Sequence, residues 1–253
     1  MDKVIDFFVD KKKRNILIGI LGIIVLLIIL IGCSRVTPLE EKTIKEVSKR
    51  VMPYIDRVEN SKEEKFNKYV YYALEYAYNE YDKTELTVKE IKKIIENTFN
   101  YDINDKKIKS ISLTKEMMEN NIIYDFVTGK FLIDKTQITQ SEIADKKLTF
   151  YEIDSIKKIS SEHFKVTYDK YVVTNPYEIL NYYTDLNNKK STKKKYDITP
   201  IYNYLVAKGK EKDVKNYVIG GNFEKFAKKK GKLKVDYVVK NDKLVIDSYE
   251  TVK

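Results

Sequence analysis

The sequence predicts an α+β protein in which a helical region comes first and an antiparallel sheet follows. Through residues 37–120, apolar residues recur at three- and four-residue spacing, which is typical of helices that bury one face. From about residue 121, apolar and polar residues alternate instead, as they do in half-buried strands. Apolar residues at 43% and charged residues at 34% indicate a folded body that buries a core.

Each predicted helix of the first half begins at a recognisable start signal. Thr37-Pro38-Leu39-Glu40 combines a capping box with proline at the first helical position, and Pro53 should end or kink that helix. Two further capping boxes, Ser61–Glu64 and Thr87–Glu90, precede apolar stripes, and a short fourth helix is expected after Thr114. We expect these helices to form an N-terminal bundle.

The second half predicts hairpins with helices inserted between them. Thr128-Gly129 is a turn signal between two short apolar segments, and a longer alternating pair surrounds Ser160–Glu162. The clearest hairpin has Asn241-Asp242 at its tip. Helical patterns follow Asn175-Pro176 and Thr199-Pro200, and a short helix is expected in the segment NFEKFAKKK. The sheet is therefore predicted to consist of two hairpins separated by helices.

These patterns divide the chain into four parts. Residues 1–32 are a signal peptide or membrane anchor, residues 33–36 a tether, residues 37–120 the helical region, and residues 121–253 the α+β region. The formal charge of +10 is concentrated in a basic segment, residues 187–234, which holds fifteen Lys against four acidic residues. This segment predicts an anionic partner, because Coulomb attraction concentrates polyanions near such a surface. The candidate residues are Lys189, Lys190, Lys193, Lys194, Lys195, Lys228, Lys229 and Lys230.

The N-terminus has the features of an export signal. A basic flank, Lys11–Arg14, precedes an unbroken apolar run from Ile16 to Gly32. The run is long for a secretory signal and short for a spanning helix, so its length does not choose between them. The positive charges on the N-terminal side favour a cytoplasmic N-terminus and a body outside the cytoplasmic membrane.

The end of this run resembles the lipobox of bacterial lipoproteins. Leu30, Ile31 and Gly32 precede Cys33, the one cysteine of the chain. The resemblance implies cleavage after Gly32 and attachment of a lipid to the Cys33 sulfur. It covers the export signal alone and implies no activity for the body. The alternative is an uncleaved anchor in which Cys33 is one more residue of a spanning helix.

No catalytic, metal-binding or cofactor-binding motif stands out. His163 is the one histidine, and no second His or Cys is available in the body to complete a zinc site. We therefore expect no enzyme activity, no cofactor and no metal, with a carboxylate-based hydrolase as the exception that sequence does not test.

The function predicted is that of a non-catalytic binding or assembly module at the cell envelope. The alternatives are a single-pass subunit of a secretion, conjugation or division apparatus, and an envelope hydrolase. The expected partners are the outer face of the cytoplasmic membrane, an anionic lipid or wall polymer, and other envelope proteins; nucleic acid is not expected. Intact mass separates the first two functions, because cleavage and acylation change it.

Overall fold

The computed structural model describes residues 35–55, 58, 65–103, 122–133, 147–189, 194–206, 209–219 and 223–252. The helices are α1 (Pro38–Val51), α2 (Lys65–Tyr81), α3 (Val88–Glu96), α4 (Tyr177–Asn188), α5 (Thr199–Leu205), α6 (Glu211–Ile219) and α7 (Phe223–Phe226). The strands are β1 (Glu85–Thr87), β2 (Ile122–Asp125), β3 (Lys130–Ile133), β4 (Leu148–Ser160), β5 (His163–Val173), β6 (Lys228–Lys240) and β7 (Lys243–Val252). The predicted α+β class is confirmed.

A four-stranded antiparallel sheet is the largest element, with strand order β4-β5-β6-β7. Two hairpins form it, and they join where β5 pairs with β6, so that Tyr168 lies opposite Leu233. The helices α4 to α7 are inserted in the chain between the hairpins, as predicted. Asn241 and Asp242 both have positive φ angles, 51° and 59°, which is the geometry of a tight two-residue hairpin turn.

A smaller three-stranded sheet has the order β1-β3-β2. The predicted hairpin at Thr128-Gly129 is confirmed, and Gly129 has a φ of 66°, a conformation that glycine adopts without a Cβ clash. Strand β1 was not predicted. It has three residues, too few for an alternating pattern, and it is held by pairing of Leu86 with Phe131.

Helices α1, α2 and α3 share one hydrophobic core with both sheets. Ile44 of α1, Tyr72 of α2 and Ile91 of α3 belong to the same buried cluster as Phe131 and Tyr168 of the two sheets. The described residues therefore do not support a bundle of helices that packs by itself. Two of the three predicted capping boxes are confirmed, with Thr37 and Thr87 accepting hydrogen bonds from the amides of Glu40 and Glu90.

A second hydrophobic cluster lies under the inserted helices. The start of β4 contributes Leu148 and Phe150, and the end of β5 contributes Val173. Ile179 comes from α4 and Val214 from α6. Helix α1 ends at Val51 and passes into a 3₁₀ turn, Met52–Tyr54, as predicted from Pro53. The turn contacts this part of the molecule, because Lys215 donates to the Pro53 carbonyl at 2.8 Å.

One helix is shorter than predicted, and two predictions fall outside the described residues. In NFEKFAKKK, α7 covers Phe223–Phe226 alone, and Lys228–Lys230 belong to β6. The physical reason is that Lys228 continues the ladder opposite Val172, while Phe226 is buried in the second cluster. The capping box at Ser61–Glu64 and the helix after Thr114 lie outside the described residues.

Candidate functional site

A groove of about 580 Å³ lies between α1, α2, α3 and the turn that joins β6 to β7. Its volume falls in the range of about 300–1,000 Å³ that is usual for ligand sites. Four sets of side chains line it: apolar and aromatic residues, cations, two carboxylates, and uncharged polar residues. The lining residues used below are Arg50, Tyr76, Tyr81, Lys83, Leu86, Glu90, Lys93, Asn97, Asp242, Lys243 and Leu244.

The apolar part of the groove includes two tyrosines and two leucines. The rings of Tyr76 and Tyr81 meet edge to face with centroids 5.6 Å apart, and their hydroxyl oxygens are 3.3 Å apart. Tyr76 is buried, whereas Tyr81 is 58% exposed. Burial, followed by the hydrogen bond to Tyr81, raises the pKa of Tyr76 well above its usual value. Both the ring surface and a neutral hydroxyl are therefore presented to a ligand. Leu86 and Leu244 are buried beneath the rim.

Four cations and two carboxylates line the groove, which leaves a net charge of +2. Lys83 is paired with Glu90, with Nζ 2.5 Å from Oε1, and Lys243 donates to Asn97 Oδ1 at 2.8 Å. The charged ends of Arg50 and Lys93 form no hydrogen bond or ion pair with any residue that the structure describes. These two cations are therefore available to an anionic group that enters the groove.

The position of Glu90 follows from the capping box that starts α3. Its carboxylate accepts hydrogen bonds from the Thr87 amide at 2.9 Å and the Thr87 hydroxyl at 2.8 Å. The Lys83 ammonium, then the backbone and hydroxyl of Thr87, lower the pKa of Glu90 to about 2. Glu90 is thus charged at all physiological pH values and holds Lys83 at the rim.

Backbone hydrogen bonds to the edge strand β7 fix the segment that follows α3 beside the groove. Ile246 donates its amide to the Thr98 carbonyl at 2.8 Å, and Asn100 donates its amide to the Ile246 carbonyl at 2.6 Å. These bonds connect the end of α3 to the sheet edge, so the helix and the β6–β7 turn keep a fixed spacing.

His163 lies away from this groove, on β5. Its Nε2 is 3.0 Å from Asp236 Oδ1, and Asp236 also accepts from Ser248 at 3.1 Å and lies 3.5 Å from the Lys165 ammonium. Among the described residues, no group of three or more His, Cys, Asp or Glu side chains has a metal-binding arrangement. The contact of His163 is a cross-strand hydrogen bond to Asp236 on the sheet.

The predicted anionic-surface lysines are only partly described. Lys189 follows the last residue of α4, and Lys228, Lys229 and Lys230 begin β6. The charge of Lys229 is compensated by an ion pair, because its Nζ is 2.5 Å from Asp169 Oδ2. Lys194 and Lys195 are exposed, whereas Lys190 and Lys193 lie outside the described residues. None of the described lysines of this set lines the groove.

The predicted export-signal residues, Leu30, Ile31, Gly32 and Cys33, also lie outside the described residues. Within the part of the chain that the structure describes, no helix has the length and apolar character needed to cross a bilayer.

The groove itself was not predicted from the sequence. Its residues come from positions 43 to 98 and 242 to 244, and no local motif marks them. One signal was available: the chain has four arginines against 44 lysines, so Arg50 is an unusual choice of cation for this chain. No family model, no curated protein and no solved structure matches the chain.

Proposed function

We propose that this protein is a membrane-anchored, extracytoplasmic binding or assembly module of the cell envelope, without a catalytic role of its own. Residues 1–32 supply the export signal, and Cys33 is the lipid attachment site; the alternative is that the apolar run stays as a single spanning helix. The groove between α1, α2, α3 and the β6–β7 turn is the binding site. Its ligand is an acidic segment of another envelope protein.

The observation that carries this proposal is the pair of cations without described partners in the groove. Arg50 offers a planar fork that matches a carboxylate, and Lys93 offers a second positive charge. Tyr76 and Tyr81 provide ring surface beside them for an apolar side chain. A short peptide that alternates acidic and apolar residues satisfies both requirements at once.

The binding test uses synthetic peptides with acidic and apolar residues against the full chain in detergent micelles. The double substitution Arg50→Gln and Lys93→Gln should weaken binding by about tenfold or more, because one charged hydrogen bond contributes about 1.5–3 kcal/mol. The matched control is Lys45→Gln with Lys49→Gln, which removes the same charge from exposed positions on α1. Equal loss in both variants would show that net charge, and not the groove, determines binding.

The anchor is tested by the intact mass of the protein purified from its own membranes. Loss of residues 1–32 with added acyl mass supports lipidation at Cys33. An unmodified N-terminus near Met1 would instead support the single-pass alternative. Protease added to intact cells whose envelope admits it should digest the body in either case. Complete protection of the body would contradict the extracytoplasmic location.

A further inference from the structure

The four-stranded sheet has two different ends. The turns Ser161-Glu162 and Asn241-Asp242 lie together, because His163 pairs with Val238 and the Val239 amide donates to the Glu162 carbonyl at 2.9 Å. We call this the turn end. The inserted helices α4 to α7 pack at the opposite end of the strands, which we call the helical end.

Helix α1 begins at the turn end. Glu40, in its first turn, places Oε1 2.7 Å from the Lys158 Nζ, and both side chains are largely shielded, at 24% and 11% exposure. Lys158 lies near the end of β4, opposite Phe164. From there the helix crosses the sheet, and its Ser48 contacts Tyr168 in the middle of β5.

The position of α1 determines which end faces the membrane. Thr37, the cap of α1, is four residues from Cys33. A chain of this length spans at most about 14 Å. Leu39 and Ile159 lie at the same end and are 73% and 45% exposed, which suits contact with the bilayer interface. The turn end is therefore next to the membrane whether Cys33 carries a lipid or ends a spanning helix.

The helical end lies far from that membrane. Lys158 is opposite Phe164, and Lys228 is opposite Val172, so eight positions of β5 separate the two lysines. At about 3.4 Å per residue this is about 27 Å. Because the Debye length at physiological salt is about 8 Å, attraction to lipid headgroups is largely screened over this distance.

Apart from Lys189, the described lysines of the basic segment fall into two groups. Six are neutralised by ion pairs: Lys210 with Asp82, Lys212 with Glu80, Lys215 with Glu211, Lys229 with Asp169, Lys232 with Asp154, and Lys234 with Glu250. Five others form no ion pair with a carboxylate of any described residue. We call them the distal lysine surface: Lys194, Lys195, Lys225, Lys228 and Lys230.

Aromatic rings hold part of this surface without cancelling its charge. The Lys225 ammonium lies 3.7 Å from the ring centroid of Tyr182, and the Lys194 ammonium lies 5.4 Å from that of Tyr196. Tyr183 joins the two rings, with centroid distances of 5.3 Å and 5.0 Å. Cation–π contacts position an ammonium and leave its full charge available.

We propose that the distal lysine surface binds a soluble phosphodiester polymer of the envelope, and not the headgroups of the membrane that holds the anchor. The proposal rests on the extracytoplasmic, anchored state described under Proposed function, and it names the second partner of that module. Repeated phosphodiesters match these lysines, which form no ion pair with a carboxylate that the structure describes. The distance from the turn end separates this partner from the lipid surface.

The experiment places the full chain in neutral phosphatidylcholine vesicles and adds labelled poly(glycerol phosphate) over a range of salt concentrations. Lys225→Gln, Lys228→Gln and Lys230→Gln together should weaken binding at least tenfold. They should also lower the slope of log affinity against log salt by about 2, at about 0.7 per charge lost. The control replaces Lys42, Lys45 and Lys49 of α1, which changes net charge equally and should leave affinity within about twofold.

A second measurement tests the orientation directly. A fluorophore on a bioorthogonal side chain at position 161 or 230 is read by energy transfer to a headgroup acceptor in vesicles rich in phosphatidylglycerol. Strong transfer from position 161 and weak transfer from position 230 are expected. Equal energy transfer from both positions would overturn the proposal in favour of a lipid partner. The proposal would also be overturned if the lysine variant lost its attraction to the vesicles but still bound the polymer. Peptide binding in the groove should persist in the lysine variant, so failure here is distinguishable from failure of the proposed groove function.

Discussion

Replacing Tyr168 with Phe tests a buried chain of hydroxyl groups that connects α1 to the four-stranded sheet. Tyr168 Oη lies 2.6 Å from Ser48 Oγ and 2.8 Å from Tyr237 Oη, and both tyrosines are 0% exposed. Ser48 donates its proton to the Ile44 carbonyl at 2.6 Å. Because a hydroxyl has one proton, the direction of each hydrogen bond in the chain follows: Tyr237 donates to Tyr168, and Tyr168 donates to Ser48.

This order makes the two tyrosines unequal. Tyr168→Phe removes two hydrogen bonds and leaves the buried Tyr237 hydroxyl proton without its acceptor. An unsatisfied buried group costs about 1–3 kcal/mol, so the expected loss in the free energy of unfolding is about 3 kcal/mol. Tyr237→Phe removes one hydrogen bond and leaves only an unused lone pair on Tyr168. Its expected cost is about 1 kcal/mol.

Urea unfolding of the full chain in detergent micelles, followed by circular dichroism, measures both losses. The matched control is Tyr202→Phe, because Tyr202 is 56% exposed and should change stability by less than about 0.5 kcal/mol. The urea slope should stay constant across the series. If Tyr168→Phe costs no more than Tyr237→Phe, the deduced proton order is wrong.

Two further predictions follow from the cap of α3 and from the buried tyrosines. Thr87→Ala should lower the free energy of unfolding by about 1 kcal/mol, because the capping hydrogen bonds are lost. The control Thr84→Ala, in the preceding loop, should change it little. Equal losses in the two variants would argue against the cap. Burial raises the pKa of Tyr168 to about 12, above the value of about 10 in the unfolded chain. The contribution of the neutral Tyr168 to the free energy of unfolding should therefore be fully present below about pH 10 and should decrease as the pH rises toward 12. Urea unfolding alongside tyrosinate absorbance measures this decrease. Ionisation of all tyrosines near pH 10 without unfolding would contradict this reasoning.

Local features were predicted well because their partners lie close in the sequence. The capping boxes at Thr37 and Thr87 need one hydroxyl and a carboxylate three residues later. The turns at Gly129 and at Asn241-Asp242 need residues that adopt positive φ. Each of these requirements is met within a few residues, so the sequence alone shows it.

Features that depend on distant residues were missed or left open. Strand β1 exists because Leu86 pairs with Phe131. The groove brings Arg50 and Lys93 to the same cavity as Lys243, which no periodic pattern reveals.

The basic segment shows the same division. The large excess of lysine in residues 187–234 can be read directly from the sequence. Which of those charges lack a partner depends on the fold, since Lys212 pairs with Glu80, 132 residues away, and Lys215 donates to the Pro53 carbonyl across 162 residues. The reason is physical: composition sums the charges of a segment, whereas the fold selects the distant carboxylates and carbonyls that surround each one.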